Sequence, residues 1–174
     1  MKIALTAVEI EALACARDAS TSRSIMDRER ALEIVMPKAA LRGHLTREDL
    51  LAAAEWKWRG GRVRDLCAKN PKSEIQHVSA VSFTATASER LRIGALLVLR
   101  GVHWPMASVI LHFAFPDRYP ILDRFAMAAV GSTPFYSFER WEQYCELCRK
   151  VAADSGLTMR TLDKALWQIG KNPR

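Results

Sequence analysis

The sequence predicts an all-α protein, and three observations lead to that class. Apolar residues recur at helical spacing in long segments such as TREDLLAAAEWKW and FERWEQYCELCRKVAADSG. Capping residues begin these segments, as Thr46 and Ser137 do, and Gly60-Gly61 and Gly156 end them. The one β-like run, 78–86, has helical patterns on both sides, so we assign it to a helix.

About eight or nine helices account for the chain. Glycines, prolines and polar caps set their expected limits, with an interruption near Pro37 in the second helix. The predicted helices are 7–18, 27–41, 46–58, one from a Ser73 cap to about Phe83 or Ala85, one from Ser88 ended by Gly101, one starting at Pro105, 124–130, 138–154, and 159–169 closed by Gly170.

Apolar residues at helical spacing also predict which side of a helix is buried. The first helix is expected to bury one side, and the helix that follows Ser88 is expected to bury the stripe given by its i, i+4, i+5 and i+8 spacing. These faces are Val8, Ala12, Cys15 and Ala16 in the first case, and Leu91, Ala95, Leu96 and Leu99 in the second.

The hydrophobic content of 49% is sufficient for a core, so residues 1–174 are expected to form one compact domain, or two small lobes. The longest apolar run, Met106–Phe115, is shorter than the ~20 residues of a membrane span and contains His112, read as a core histidine. Glu9 and Glu11 interrupt the apolar N-terminal segment, which argues against a secretory signal peptide. We therefore expect a cytoplasmic protein with no membrane partner.

The chain is basic, with 26 Lys and Arg against 19 Asp and Glu, and a net charge of +7. Many of the basic residues are arginines, which bind phosphate bidentately, and phosphate neutralisation provides most non-specific affinity for nucleic acid. A domain that is basic without binding nucleic acid is the alternative.

Residues 89–131 contain the most informative pattern in the chain. One helix is ended by Gly101, and Pro105 can occupy the first turn of the next because that position needs no N–H. The sequence FPDRYP then brings two prolines within five residues, which prevents a continuous helix. Asp123 follows at the start of a further helix, where it has the residue type of an N-cap.

This pattern resembles the helix-hairpin-helix base-excision DNA glycosylases. Their hairpin has the form L-x-G-V-G-x-x-x-A, matched here by Leu99–Ala107, and a Pro-rich loop then leads to an aspartate, matched by Asp123. The chain is also similar to a group of small proteins with an A-S-x-I-L-H-F-x-x-P-x-x-Y-P-I-x-D core and an L-D-x-A-L-W signature, here residues 162–167. The resemblance is carried by residues 88–131, extends over 132–174 and does not include 1–50.

The resemblance implies a glycosylase-like helical fold with a helix-hairpin-helix at 88–114 that contacts double-stranded DNA through its backbone. Asp123 would be the catalytic residue, because a carboxylate stabilises the positive charge that builds on the sugar as the base leaves. Pro105 stands where bifunctional members have a lysine, so the implied activity is monofunctional hydrolysis of an N-glycosidic bond. His103 replaces the second hairpin glycine. The implied DNA contacts are Arg100, Gly101, Val102, His103 and Trp104.

Two other readings of the same residues remain open. In one, the fold is a catalytically inactive module for nucleic-acid or protein contact. In the other, the chain is a structural scaffold in which Asp123 only caps residues 124–130. Tyr119 and Arg124 flank this aspartate and are candidates to line a pocket or orient it, although Tyr119 could equally pack on Pro120.

A second candidate for nucleic-acid contact surrounds the Gly60-Gly61 turn. Arg59 and Arg62 could hold a phosphate there, while Trp56 and Trp58 could line a pocket and stack on a base. The alternative, slightly favoured, is that one tryptophan packs in the core and the arginines are solvated.

The pair Cys145-x-x-Cys148 falls within a helical pattern, so we interpret it as one helix face, buried or half buried, and predict no metal and no cofactor. Asp163, in the L-D-x-A-L-W signature, is expected to pair with a nearby Arg or Lys and to brace the fold.

Overall fold

The computed structural model describes residues 1–58 and 60–171. Within those ranges it contains ten α-helices and no β-strand, which confirms the all-α class. None of the described helices is long and apolar enough to cross a membrane. The helices are α1 Ala7–Ala19, α2 Arg23–Arg42, α3 Arg47–Lys57, α4 Gly61–Ala68, α5 Lys72–Phe83, α6 Glu89–Leu96, α7 Trp104–Ala114, α8 Arg124–Ala129, α9 Phe138–Ser155 and α10 Met159–Lys171.

The chain divides into two compact units. Unit 1 contains Met1–Thr21 and the chain from Pro116 onward, and unit 2 contains Ser22–Phe115. The boundary after Phe115 falls inside the segment 88–131, so the predicted hairpin belongs to unit 2 and Asp123 to unit 1.

Helix α7 is the core of unit 2. Every residue from Met106 to Ala114 is buried, as the apolar run predicted, and α7 contacts both α2 and α3. His112 is 1% exposed, and its ring lies edge-on to Phe113 with 5.1 Å between centroids. This histidine is therefore a core residue, as expected.

The prediction of an interruption at Pro37 was wrong, because α2 runs through this residue as one helix of 20 residues. An internal proline removes one backbone hydrogen bond and crowds the preceding turn. Burial on either side offsets that cost, since Met36 and Ala39 are fully enclosed. The helix also begins earlier than predicted, at Arg23.

The sequence analysis did not predict helix α4. This omission accounts for the difference between the eight or nine predicted helices and the ten that are described. The sequence between Gly61 and Ala68 contains arginines and a Gly-Gly pair, and it was interpreted as a turn with flanking basic residues. The cap predicted at Ser73 was also wrong, because the N-cap of α5 is Pro71, two residues earlier, and the helix begins at Lys72. The caps at Thr46, Ser88 and Ser137 are confirmed, and each accepts a hydrogen bond from the backbone N–H three residues later.

Helix α10 is the centre of unit 1, where it contacts α1, α8 and α9. Gly170 does not close this helix as predicted but lies inside it, because α10 continues to Lys171. A Cβ at Gly170 would lie 1.8 Å from the carbonyl oxygen of Phe125, so the glycine lets the backbone of α8 touch α10.

The predicted buried face of α1 was wrong, because all four of its residues are exposed, and that of α6 was wrong in part. In α1 the buried residues are Ile10, Ala14 and Arg17, on the side that faces away from Val8, which is 74% exposed. In α6, Leu91 is 51% exposed and Arg92 is buried instead. Leu96 from the predicted stripe is buried, as is Leu99, which lies beyond the end of α6.

The buried Arg92 is stabilised by the end of a neighbouring helix. Its guanidinium donates hydrogen bonds to the carbonyl oxygens of Ser82 and Thr84, at 2.6 and 2.8 Å, where α5 ends. It also lies 5.2 Å from the centre of the Phe115 ring. A cation at a helix C-terminus is favoured by the helix dipole, so a side chain that usually stays in water is buried here.

Candidate nucleic-acid interface and candidate active site

The connection between α6 and α7 spans residues 97–103 and contains the predicted hairpin glycine. Gly101 has φ 81°, in the left-handed region that favours glycine. A Cβ on it would lie 2.8 Å from Sγ and 3.0 Å from the backbone N of Cys67, and 3.0 Å from Cβ of Leu66. Glycine is therefore required here both by backbone conformation and by the close approach of α4.

The same connection is attached to the end of α4 by a buried amide side chain. Arg100 N donates to Oδ1 of Asn70 at 2.9 Å, and Nδ2 of Asn70 donates to the carbonyl oxygen of Arg100 at 3.0 Å. A further bond from Nδ2 reaches the carbonyl oxygen of Cys67 at 2.9 Å. Sequence reasoning did not identify this role of Asn70.

The predicted DNA contacts in this connection differ in exposure. Arg100 and His103 are exposed, Trp104 is partly exposed, and Val102 is buried at 1%. His103 occupies the N-cap position of α7, with extended backbone. The two exposed side chains and the main chain between them are thus the parts that can reach a phosphate.

The aromatic residues before the Gly60-Gly61 turn separate into one half-buried residue and one exposed residue. Trp56 packs edge-on against Phe113 with 5.1 Å between ring centroids, whereas Trp58 is 44% exposed. Arg62 is exposed, and Arg59 lies outside the described residues. The slightly favoured interpretation, one tryptophan in the core with solvated arginine, agrees with this placement for Trp56 and Arg62.

Asp123 caps α8. Its Oδ1 accepts hydrogen bonds from the backbone N–H groups of Phe125 and Ala126, both at 3.0 Å. The residue is 8% exposed, so it is largely enclosed. The helix cap gives Asp123 a structural role.

The backbone that leads to Asp123 is fixed by two helices of unit 1. Ile121 N donates to Oδ1 of Asp163 in α10 at 3.1 Å, and the hydroxyl of Tyr144 in α9 donates to the carbonyl oxygen of Ile121 at 3.3 Å. Arg160 pairs with the other oxygen of Asp163. The prediction that Asp163 pairs with a basic residue and braces the fold is confirmed, and what it braces is the loop before Asp123.

The two pocket candidates beside Asp123 lie in different surroundings. Tyr119 is fully buried, and its ring stacks on Trp141 with centroids 5.7 Å apart and an interplanar angle of 16°. Arg124 is exposed, and its guanidinium lies 4.5 Å from the centre of the Phe125 ring. Tyr119 is thus part of the core of unit 1, and Arg124 is available at its surface.

A residue that sequence reasoning missed lies near Asp123. The pKa of Tyr136 is raised by partial burial and by the negative charge of Asp123, and Arg124 opposes this effect. Tyr136 belongs to the loop that follows Gly131, and its neighbour Phe135 is 65% exposed. The adjacent aromatic residues Phe135 and Tyr136 in the segment GSTPFYS were the sequence feature that could have indicated this residue.

Three of the four cysteines contribute to the core, and Cys15 is exposed. Cys145 and Cys148 are buried, as predicted, and burial raises the pKa of the Cys148 thiol well above its usual range. Burial also raises the pKa of Cys67 to about 11. Across residues 1–58 and 60–171, no group of three or more His, Cys, Asp or Glu side chains is placed to hold a metal ion.

The chain matches no protein-family model, no curated protein and no solved structure. A functional proposal therefore depends on the residues and on the geometry within each unit. Gly101 with its exposed neighbours provides that geometry in unit 2, and Asp123 provides it in unit 1.

Proposed function

We propose that this chain binds duplex DNA and supports removal of a base by hydrolysis, as a monofunctional DNA glycosylase does. The observation that carries the proposal is the order of the elements. A connection with a left-handed glycine, Gly101, is followed by a buried helix, a braced Pro-rich loop, and Asp123 at the start of the next helix. This order is the one that the resemblance to the glycosylases implies.

The binding step would use the connection between α6 and α7. Arg100 and His103 are exposed on either side of Gly101, and the Asn70 hydrogen bonds fix the backbone between the helices in advance. Preorganised backbone and an exposed guanidinium suit a phosphate, and a basic chain adds general attraction to DNA.

The chemical step would use Asp123. A nucleotide extruded from the duplex would bring its sugar to the carboxylate, and the low polarity around a residue that is 8% exposed would strengthen stabilisation of the developing positive charge. Pro105 supplies no amine, so no Schiff base forms there and strand cleavage by a lyase step is not expected.

One observation favours a second candidate function, a catalytically inactive nucleic-acid-binding module. Asp123 is largely enclosed, and its two bonds to the start of α8 already give the carboxylate a structural reason to be present. In that case the α6–α7 connection would bind DNA and no base would be released.

Base release from defined duplexes tests the catalytic proposal. Duplexes with uracil, alkylated purines, oxidised guanine or a mismatch are incubated with the protein, and abasic sites are then cleaved with alkali. We expect one class of duplex to give product, and Asp123→Asn to abolish it while keeping the α8 cap, because asparagine caps helices as well as aspartate does. Asp117→Asn, an exposed aspartate in the same unit, is the matched control. Product that survives Asp123→Asn would contradict the role assigned to this residue.

Affinity for duplex DNA distinguishes the two proposed functions, which both require DNA binding, from a structural scaffold, which does not. Affinity should fall steeply with salt, and Arg62→Gln or Arg100→Gln should weaken it and reduce the salt slope by about one. Arg30→Gln removes the same charge from an exposed arginine that lies 3.7 Å from Asp27, so it serves as the control. Absence of binding at low salt would leave neither function standing.

A further inference from the structure

Four side chains of unit 1 form a continuous row that begins one residue after Asp123. The guanidinium of Arg124 lies 4.5 Å from the centre of the Phe125 ring. That ring packs edge-on against Trp167 at 5.5 Å, and Nζ of Lys171 lies 4.7 Å from the centre of the Trp167 ring. We call Arg124, Phe125, Trp167 and Lys171 the cation–aromatic row. Its two cations lie at the ends, with aromatic surface between them.

The two cations of the row are exposed. Among the described residues, no carboxylate forms an ion pair with Arg124 or Lys171. Two other lysines in unit 1 differ, since Lys164 pairs with Asp18 and Lys150 with Asp154, each at 2.8 Å. The row thus presents exposed positive charge beside aromatic rings, in a chain whose net charge is +7.

The row is held in place by the contact between α8 and α10. The approach of the Phe125 carbonyl oxygen to Gly170 is so close that a Cβ there would lie 1.8 Å from it. Phe125 belongs to α8, and Trp167 and Lys171 belong to α10. Their relative positions are therefore set by backbone packing, so a ligand would meet a preformed surface.

We propose that the cation–aromatic row binds single-stranded DNA. Arg124 and Lys171 would neutralise phosphates, and the exposed parts of Phe125 and Trp167 would contact the bases. A single strand is favoured over a duplex because its bases are not enclosed in a paired stack and their faces can reach aromatic side chains. Charge complementarity identifies the ligand as a polyanion, and the aromatic rings between the cations favour a nucleic acid.

The inference rests on the proposed function, because both require nucleic acid as the ligand. Arg124 follows Asp123 directly in the chain, so a strand bound along the row would run beside the acid that is proposed to act on an extruded nucleotide. The row would then hold the strand that carries that nucleotide.

Binding of an unmodified, labelled 12-nucleotide oligothymidylate tests the row at low salt. The wild-type chain should bind it with salt-sensitive affinity, and Trp167→Leu should weaken binding about tenfold, whereas Trp167→Phe keeps an aromatic ring and most of the affinity. The double variant Arg124→Gln/Lys171→Gln should weaken it at least as much. Arg30→Gln/Lys150→Gln removes the same total charge from ion-paired, exposed positions and should have a much smaller effect.

Equal affinity of both double variants would overturn the proposal, as would no binding of the oligonucleotide by the wild type. Circular dichroism checks the fold of each variant. If Trp167→Leu does not fold, the double variant Arg124→Gln/Lys171→Gln decides whether the row binds the oligonucleotide. Failure of the two proposals can be told apart. If the oligonucleotide does not bind through the row but duplexes still release a base, only the proposal for the row is refuted. If the oligonucleotide binds through the row but no duplex releases a base, only the catalytic proposal is refuted.

Discussion

Asn70 and Arg100 exchange two hydrogen bonds between a side chain and a main chain 30 residues away. The Arg100 N–H donates to Oδ1 at 2.9 Å and the Asn70 amide donates back to the Arg100 carbonyl at 3.0 Å. Asn70 is 3% exposed, so this exchange takes place away from water. It fixes the turn in which Gly101 adopts its left-handed conformation.

Replacing Asn70 by aspartate keeps the size of the side chain and removes its donor. Asn70→Asp would put a carboxylate against the carbonyl oxygens of Cys67 and Arg100, which now accept from Nδ2. We expect a loss of about 2 kcal/mol in the free energy of unfolding, measured by urea denaturation at pH 7. Hydrogen exchange should show faster exchange near Arg100. Unchanged stability would mean that the turn does not depend on this side chain.

Two glycines with positive φ should respond differently to alanine. In Gly101→Ala, alanine would have to adopt the left-handed conformation and its Cβ would collide with Cys67. We therefore expect the free energy of unfolding to fall by about 3 kcal/mol. Gly131 has φ 69°, and no atom lies within 4 Å of the place that a Cβ would occupy, so Gly131→Ala should cost about 1 kcal/mol from conformation alone. Thermal or urea unfolding of the two variants gives the comparison. Equal costs would contradict the close packing of α4 against Gly101.

Gly170→Ala tests the contact between α8 and α10 that supports the cation–aromatic row. Alanine is normally better than glycine inside a helix by about 1 kcal/mol. Here the new Cβ would collide with the backbone of Phe125, so we expect destabilisation of about 2 kcal/mol instead. The sign of the change in unfolding free energy decides the matter, and stabilisation would show that α8 does not lie against α10.

Local signals predicted the features that depend on neighbouring residues in the sequence. The caps at Thr46, Ser88 and Ser137 involve a residue three positions away, and the nine helices that were predicted follow their own periodicity. The buried run from Met106 needs no partner to be recognised, because nearly every residue in it is apolar or small. The role of Asp123 as a helix cap could also be predicted from its neighbours in the sequence.

Features set by contacts between distant segments could not be predicted. Gly170 looks like a helix end until the backbone of α8 is placed against it, and Pro37 looks like a break until burial around it is known. The roles of Asn70 and Tyr144 depend on carbonyl oxygens far along the chain. Arg92 lay outside the predicted buried stripe of α6, because only the end of α5 makes its burial favourable.

Stability should fall as the pH rises above about 9, because the folded state keeps thiol protons that the unfolded state loses. Burial raises the pKa of Cys67 from 9.0 to about 11, so below pH 9 both states hold the proton and between 9 and 11 only the folded state does. Within that window one such group lowers the unfolding free energy by about 1.4 kcal/mol per pH unit. Burial raises the pKa of Tyr144 and of Cys148 too, which acts in the same direction.

Urea unfolding at pH 8, 9 and 10 measures this dependence. Cys67→Ala removes one thiol, so the variant should lose less stability per pH unit than the wild type. Cys15→Ala, at an exposed position, is the matched control and should leave the slope as it is. Identical slopes for Cys67→Ala and the wild type would show that this thiol is not held in its protonated form by the fold.

The most direct test of the catalytic proposal compares base release and DNA affinity in the same Asp123→Asn sample. Single-turnover release is measured on the duplex that the wild type processes best, at protein concentrations that saturate the DNA. We predict a loss of about 10²-fold or more in the rate, with duplex affinity and melting temperature close to wild type because asparagine keeps the cap of α8. A wild-type rate in Asp123→Asn, at full occupancy, would contradict the central claim that this carboxylate supports removal of the base.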